Sequence, residues 1–205
     1  MYLSDLIPAR KGWVLALTEN GRWLLKTGTA SDLRLEPGIS MQEEELRLAA
    51  RTDQVPAAKN DCRRYLSRFD RTESQLKSYL VKRDYLETVA DSVTEWAAGN
   101  GLVDDGRFAS VYIRSHSGSD PLGNFKIRRE LRKRGVAPGI IDELLCERNE
   151  EDYLDVLVAN VSSRYGNLQP RRAYRRASSY LARRGFNRDI IRRVLNEALN
   201  GFWGD

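Results

Sequence analysis

The chain has 205 residues, of which 41% are apolar and 31% are charged, and its formal net charge is +5. This apolar share is enough for folded modules with small cores, so the composition excludes a disordered chain. No stretch approaches the roughly 20 apolar residues of a membrane span. The only two cysteines, Cys62 and Cys146, exclude a disulfide framework and a cysteine metal cluster. We expect a cytoplasmic protein with no membrane partner.

The charge is distributed unevenly along the sequence. Residues 126–134 carry a net +5 and residues 171–193 carry a net +8, so the rest of the chain carries −8. Acidic blocks lie at 43–45 and 142–155. Such asymmetry is typical of a surface that binds a polyanion or an acidic protein. Charge runs of this kind also occur on helix faces that only meet solvent, so composition leaves both interpretations open.

The N-terminal region has the pattern of a small β element. Two β-prone runs, 13–17 and 23–25, flank the dipeptide Asn20-Gly21. Asn-Gly between such runs predicts a hairpin whose type I′ turn has positive φ at both residues.

A helical pattern begins after this hairpin. Ser40 and Glu43 have the spacing of a capping box, which predicts a short helix over 41–51. The polar run 52–56 predicts a linker, so residues 1–55 form an N-terminal extension.

From residue 57 onward the chain repeats a helix–turn–helix pattern. Residues 131–145 and 181–195 match at a shift of 50, with Gly135 and Gly185 at the turn. Glycine there suits the left-handed residue that ends a helix. A third copy lies 51 residues earlier, at 80–94, and has an aspartate in place of the glycine.

A further helix precedes each pair, which gives three-helix repeats over 57–103, 104–150 and 151–200. The predicted fold is mainly α: three tandem three-helix repeats in an elongated array, with a small N-terminal β-hairpin element. The residues expected to form the scaffold are Phe108, Leu131, Gly135, Ile141, Leu181, Gly185 and Ile191.

Several smaller features follow from the same helical spacing. Thr72 to Gln75 form a second capping box, and Asn187 is a predicted helix cap. In the first repeat, an apolar helix face should include Cys62 and Phe69, and Cys146 should also be buried.

Few residues offer catalytic chemistry. His116 is the only histidine, and Ser115 and Asp120 lie near it in a loop rich in turn-forming residues, which does not suit a rigid triad. Asp104 and Asp105 are better explained as the start of a helix than as metal ligands. No phosphate-binding glycine loop is present. We therefore predict no catalytic residue, no metal site and no cofactor.

Two predicted helices carry basic residues at spacings of three and four, which places them on one face of each helix. Because the repeats are similar, we expect the two basic faces to line one side of the array. Such a surface suits phosphate backbones without base reading, and it equally suits an acidic protein. The predicted contact residues are Arg128, Arg129, Arg132, Lys133, Arg172, Arg175, Arg176 and Arg183.

Two segments resemble the signatures of the RecX family of bacterial recombination regulators. Residues 101–109 (GLVDDGRFA) resemble the family's G-L-[IV]-[DN]-D-x-x-F-A pattern. Residues 123–136 (GNFKIRRELRKRGV) resemble its G-x-x-x-[IV]-x-x-E-L-x-x-[KR]-G-[IV] pattern. Residues 65–76 are similar to the family's opening helices, and the resemblance extends over 57–200. Asp84, where a turn glycine is expected, departs from the pattern.

The resemblance implies a helical protein that is not an enzyme and that acts in DNA repair and homologous recombination. Its partner would be the RecA recombinase filament, whose ATPase, strand-exchange and co-protease activities it would restrain. DNA would be contacted non-specifically through the phosphate backbone, and we expect a monomer. Two alternatives remain: an autonomous helix-turn-helix DNA-binding module, and an enzyme acting on nucleic acid, for which no nucleophile or metal set is found.

Overall fold

A computed structural model describes residues 1–199 of the chain, so residue 200, the last of the third predicted repeat, lies outside the described residues. The chain forms two units, Met1–Asp104 and Asp105–Asp205. Ten α-helices, one short 3₁₀ helix and three strands lie within the described part. None of the described helices is long and apolar enough to cross a membrane.

The first unit contains the strands and four helices. In chain order they are β1 (Leu3–Pro8), β2 (Trp13–Thr18), β3 (Gly21–Lys26), α1 (Thr27–Asp32), α2 (Glu43–Leu66), α3 (Glu73–Val81) and α4 (Glu87–Gly99).

The second unit is helical in its described part. It contains α5 (Asp105–Ser115), α6 (Asn124–Lys133), α7 (Pro138–Cys146), a 3₁₀ helix (Glu150–Tyr153), α8 (Leu154–Tyr165), α9 (Pro170–Arg184) and α10 (Arg188–Leu199). The helices α2–α4, α5–α7 and α8–α10 form three-helix domains, which confirms the predicted fold class.

The predicted hairpin is confirmed as the β2–β3 pair, but its turn differs from the prediction. The strands form an antiparallel sheet in the order β1-β2-β3, with β1 added beside the hairpin. Thr18 pairs with Gly21, so Glu19 and Asn20 form the turn. Only Gly21 has a positive φ there, at 140°, so the type I′ prediction is wrong.

The predicted short helix over 41–51 and the linker over 52–56 are also wrong. A single helix, α2, spans 24 residues and contains Pro56 in its interior. Its N-cap is Gln42, and Ser40 instead forms a β-bridge with Tyr2. The predicted boundary at residue 55 therefore lies inside a helix.

Buried polar side chains explain why α2 continues through this segment. The Asp53 carboxylate accepts a hydrogen bond from the Lys26 backbone N–H at 2.8 Å. Gln54 is fully buried, donates to the Leu24 carbonyl at 2.8 Å and accepts from the Leu86 N–H at 2.7 Å. These bonds hold the helix against β3 and the start of α4. They offset the cost of an interior proline, which is about 3 kcal/mol.

The turn residues of the three repeats have the same backbone conformation. Gly135 and Gly185 have φ of 83° and 86°, and Asp84 has φ of 64°. Aspartate tolerates this left-handed region better than most residues other than glycine. The first repeat therefore keeps the shared turn despite its departure from the glycine pattern.

Each three-helix domain has its own core. Leu131, Ile141 and Leu181 are fully buried, and Phe108 and Ile191 are partly buried against the same clusters. In the first unit, Leu15 of β2 and Leu24 of β3 lie in the same core as α2–α4, so the sheet and the first repeat share a core.

Individual positions test the smaller predictions. Cys62 is fully buried, as predicted, but Cys146 is exposed at the end of α7. Phe69 is 66% exposed, because it follows the end of α2 and does not join its apolar face. The Thr72 capping box and the Asn187 cap are confirmed, with Asn187 accepting from the Ile190 N–H at 2.9 Å.

Candidate polyanion interface

The basic face of α6 exists because only a narrow stripe of this short helix is apolar. Ile127 and Leu131, four residues apart, are fully buried in the core of the second repeat. The remaining surface carries Arg129, Arg132 and Lys133, all exposed. Basic residues in the last turn also interact favourably with the negative end of the helix dipole.

Part of the α6 charge is paired. The Arg128 Nε donates to the Asp142 Oδ1 at 3.0 Å. Arg132 has no carboxylate within 4 Å anywhere in residues 1–199.

Glu130 is shared among three cations of the same segment. Its carboxylate oxygens lie 3.8 Å from Arg129, 3.7 Å from Lys133 and 3.2 Å from Arg134. The hydrogen bond from Arg134 lowers the pKa of Glu130 below its usual value. One carboxylate cannot neutralise three cations, so this end of the helix keeps a positive potential.

An aromatic ring that the sequence analysis did not select lies on the same face. Phe125, in the first turn of α6, is 62% exposed. A groove of about 470 Å³ is lined by Phe125 together with Arg128, Arg129, Arg132 and Lys133. The structure thus brings together all four basic residues predicted on this helix.

The α9 helix has a longer and less compensated basic face. Pro170 begins the helix, and its buried positions are Ala173, Ala177, Tyr180 and Leu181. The four predicted arginines of this helix are exposed, and in the part of the chain that the structure describes no carboxylate lies within 4 Å of any of them: Arg172, Arg175, Arg176 and Arg183.

Three of these arginines share a second groove. Arg175, Arg176 and Arg183 line a space of about 500 Å³ with Tyr165 and Ser179. Arg172 is exposed one turn away and does not line it.

The two basic helices are fixed relative to each other by direct backbone contact. The Gly123 N–H donates to the Arg184 carbonyl at 2.9 Å, and the Phe125 N–H donates to the Gly185 carbonyl at 3.2 Å. A Cβ on Gly185 would overlap the backbone nitrogen of Lys126. The end of α9 therefore lies against the start of α6. That both faces line one side of the array stays a prediction.

A buried carboxylate adds to this junction. Glu150 is 6% exposed and accepts hydrogen bonds from the Asn124 N–H and from the Asn187 side chain, the latter at 3.0 Å. The adjoining cavity contains both signs of charge, including Arg148, Arg193, Glu151 and Asp189. This balance makes it a structural junction and not an anion site.

The residues considered for catalysis do not converge. The Ser115 hydroxyl lies 3.0 Å from the His116 Nδ1, but that nitrogen also contacts the Tyr112 carbonyl at 2.8 Å. Asp120 instead accepts from Tyr180 and Arg184. In residues 1–199, no group of three or more histidine, cysteine or acidic side chains is arranged to hold a metal ion.

The aspartate pair lies where the helix interpretation expects it. Asp104 directly precedes α5, and Asp105 is its first residue. Negative charge at the N-terminus of a helix interacts favourably with the positive end of the helix dipole.

These features define a protein of tandem three-helix domains with arginine-rich helix faces. Each domain matches a family description: residues 58–96 match "RecX, first three-helix domain", residues 104–145 match the second and residues 150–195 match the third. The chain belongs to the RecX family.

Curated relatives carry the name "Regulatory protein RecX". The protein from Halorhodospira halophila is 39% identical over 140 residues, covering 66% of this chain and 84% of the relative. The Streptomyces coelicolor protein is 32% identical over 151 residues, covering 72% and 80%. The family is thus one of regulatory proteins.

Solved structures agree with the fold. A crystal structure titled "regulatory protein RecX" matches with a TM-score of 0.65 and 25% identity, covering 96% of this chain and 99% of that chain. RecX from Lactobacillus salivarius matches with a TM-score of 0.65 and 22% identity over 72% of this chain and 97% of that one, which supports the fold alone.

Proposed function

We propose that this protein binds the RecA recombinase filament on DNA and restrains its ATPase, strand-exchange and co-protease activities. The observation that carries the proposal is the α9 face, where Arg172, Arg175, Arg176 and Arg183 are exposed with no carboxylate within 4 Å in residues 1–199. Membership of a family of regulatory proteins supports the same role.

The mechanism is steric and electrostatic, without covalent chemistry. Guanidinium groups bind phosphates or carboxylates through paired N–H donors, and each phosphate neutralised releases bound counterions. Because α6 and α9 are held together by backbone hydrogen bonds at Gly123 and Phe125, the helix backbones that carry the arginines stay at a fixed spacing. A rigid basic surface can bridge neighbouring filament subunits and hinder the movements that their ATPase cycle requires.

A RecA ATPase assay on single-stranded DNA tests the proposal. Added wild-type protein should inhibit hydrolysis in proportion to its concentration. A variant with Arg172→Glu, Arg175→Glu, Arg176→Glu and Arg183→Glu should lose the inhibition while keeping its helical circular dichroism.

A matched control separates the basic face from overall charge. Lys11, Arg51, Arg68 and Lys82 are exposed residues of the first unit. Their fourfold change to glutamate alters the net charge by the same amount and should leave inhibition unchanged. Equal loss in both variants, or unchanged inhibition by the α9 variant, would remove the α9 face from the proposal.

The second candidate is an autonomous DNA-binding module. The helix–turn–helix formed by α9, Gly185 and α10 favours it, because such pairs can place a helix in the major groove. This function requires a preferred duplex sequence in the absence of RecA. Selection from a random duplex library that yields no preferred site would count against it.

A further inference from the structure

Phe125 is a large apolar side chain that the fold does not use. Within α6, Ile127 and Leu131 fill the core, whereas Phe125 is 62% exposed. Single exposed apolar residues are common on protein surfaces, so exposure alone carries no argument. The surroundings of the ring are the informative feature.

The ring lies in a strongly basic groove. Arg128, Arg129, Arg132 and Lys133 line the same space of about 470 Å³. They follow Phe125 at spacings of three, four, seven and eight residues, so they continue along one face of the helix, where each turn rises about 5.4 Å.

The backbone under the ring is held in place. The Phe125 N–H donates to the Gly185 carbonyl at 3.2 Å, and the neighbouring Gly123 N–H donates to the Arg184 carbonyl at 2.9 Å. A side chain on either glycine would overlap backbone atoms across this contact. The aromatic ring therefore starts from a rigid attachment, which reduces the entropy lost when a ligand stacks on it.

The chemistry of this groove favours one occupant. Proteins that bind single-stranded nucleic acids combine a basic groove for the phosphates with aromatic rings on which bases stack. Arginine and aromatic residues also occur in protein–protein interfaces, but lysine and an excess of one charge are uncommon at their centres. Four cations around one ring, with Lys133 among them, therefore fit a polyanion better. In a duplex, the base faces are already stacked inside the helix.

We propose that Phe125 is a base-stacking residue that gives the α6 face its preference for single-stranded over duplex DNA. The inference rests on the proposed function, because it assigns the ligand of one of the same basic faces. The arginines and Lys133 bind phosphates of either form, and the ring distinguishes the form with accessible bases.

The α9 groove offers no equivalent ring. Tyr165 lines it, but its ring is partly buried against the core of the third repeat and packs against Tyr180 with centroids 6.0 Å apart. The proposal therefore concerns α6 alone.

Three labelled ligands of one length test the stacking: oligo(dT), an abasic oligomer with the same number of phosphates, and a duplex. Fluorescence anisotropy with Phe125→Ala should show affinity for oligo(dT) reduced about 5- to 150-fold, the equivalent of losing one stacked base. Affinity for the abasic oligomer and the duplex should change less than about twofold, because the charges are unchanged.

Two substitutions and a control refine this result. Phe125→Trp should restore oligo(dT) binding, whereas Phe125→Leu should not, because leucine is apolar without a π face. Phe69→Ala removes an equally exposed phenylalanine of the first unit and should leave all three affinities unchanged. If Phe125→Leu binds oligo(dT) as tightly as the wild type does, the stacking proposal is wrong.

The remaining outcomes also decide the matter. Equal loss on all three ligands, or no loss on oligo(dT), overturns the proposal. Weaker binding to the RecA filament with unchanged oligonucleotide binding would make Phe125 a protein anchor and overturn it as well. If Phe125→Ala behaves as expected while the α9 charge reversal still inhibits RecA normally, the α9 assignment fails and the stacking stands.

Discussion

Two groups of arginines, one in each unit, have different surroundings. In the first unit, Arg10 and Arg83 lie 3.3 and 2.9 Å from the mostly buried Asp61. The Arg10 guanidinium also lies 4.8 Å from the ring centroids of both Trp13 and Tyr85. In the second unit, the four α9 arginines face solvent without a carboxylate within 4 Å in residues 1–199.

The contrast separates charge that holds a fold from charge available to a partner. Removing a buried acceptor leaves several donors unsatisfied and costs stability. Removing an exposed, unpaired guanidinium changes stability little, because its surroundings remain hydrated. Stability and binding should therefore respond to opposite sets of substitutions.

The largest stability loss is expected at the junction that fixes the basic helices. Gly185→Ala places a Cβ on a residue with φ of 86° and against the Lys126 backbone. We expect at least about 3 kcal/mol of destabilisation, from the left-handed conformation and from the overlap. Gly101→Ala, with φ of 66° and open space around it, should cost only about 1 kcal/mol. Urea unfolding of both variants measures this, and equal effects would contradict the close junction.

Removal of the Asp61 carboxylate should have the next largest effect. Asp61→Ala leaves Arg10, Arg83 and the Tyr85 hydroxyl without their acceptor. The expected cost is about 2 to 3 kcal/mol in thermal or urea unfolding. Asp61→Asn keeps one acceptor oxygen and should cost less. If Asp61→Ala lowers the free energy of unfolding by less than about 1 kcal/mol, the fold does not depend on the bonds from Arg10 and Arg83 to the Asp61 carboxylate.

Alkaline pH should weaken the first unit through the same network. Burial, aided by the hydrogen bond to Asp61, raises the pKa of Tyr85 from 10.0 to about 12. The unfolded chain ionises this tyrosine first, so its contribution is complete below pH 10 and is lost as the pH rises towards 12.

Burial also raises the pKa of Tyr112 and Tyr180 in the second unit, so the pH dependence of the wild type includes their contributions. Comparison with Tyr85→Phe isolates the part that is due to Tyr85. Between pH 10 and 12, the wild type should lose about 1 to 2 kcal/mol more than the variant. Unfolding curves measured across this range give the difference. Parallel pH profiles would contradict a buried, protonated Tyr85.

The smallest stability effect is expected on the α9 face. Glutamine in place of Arg172, Arg175, Arg176 or Arg183 should change the free energy of unfolding by no more than about 0.5 kcal/mol per site. Thermal unfolding of the single variants checks this. A loss of about 2 kcal/mol at any site would place that arginine among the residues that hold the fold.

Periodicity along the chain was sufficient to predict the repeats. The match at a shift of 50 identified equivalent turns, and the left-handed φ at Gly135 and Gly185 agrees with it. Local capping rules correctly identified Thr72 and Asn187, because these bonds join residues three apart. Features set by neighbours in sequence could therefore be predicted where no distant contact intervenes. The same capping spacing failed at Ser40, which forms a β-bridge with Tyr2.

Features that depend on distant partners could not. Asp53 and Gln54 have the composition of a linker, yet they bond to Lys26 and Leu24 of β3 and keep α2 helical. Glu150 lies in an acidic run and gives no local sign of its bonds to Asn124 and Asn187.

The sequence was sufficient to predict the basic residues of the candidate site, but not the side chains that surround them. The spacing of the basic residues indicated two helix faces. The exposure of Phe125 was not indicated, because a short helix with only two buried positions leaves the direction of its apolar stripe undetermined. The partial pairing of Arg128 with Asp142 depends on α7 and has no signal within α6.

The salt dependence of binding to RecA filaments on oligo(dT) tests most directly whether the α9 arginines bind the filament. The variant with all four arginines changed to glutamine should bind more weakly, and its slope of log affinity against log salt should be shallower by up to about 3, near 0.7 for each phosphate that is no longer neutralised. The first-unit control, with Lys11, Arg51, Arg68 and Lys82 changed to glutamine, should keep the wild-type slope. Identical slopes and affinities for all three proteins would contradict the account.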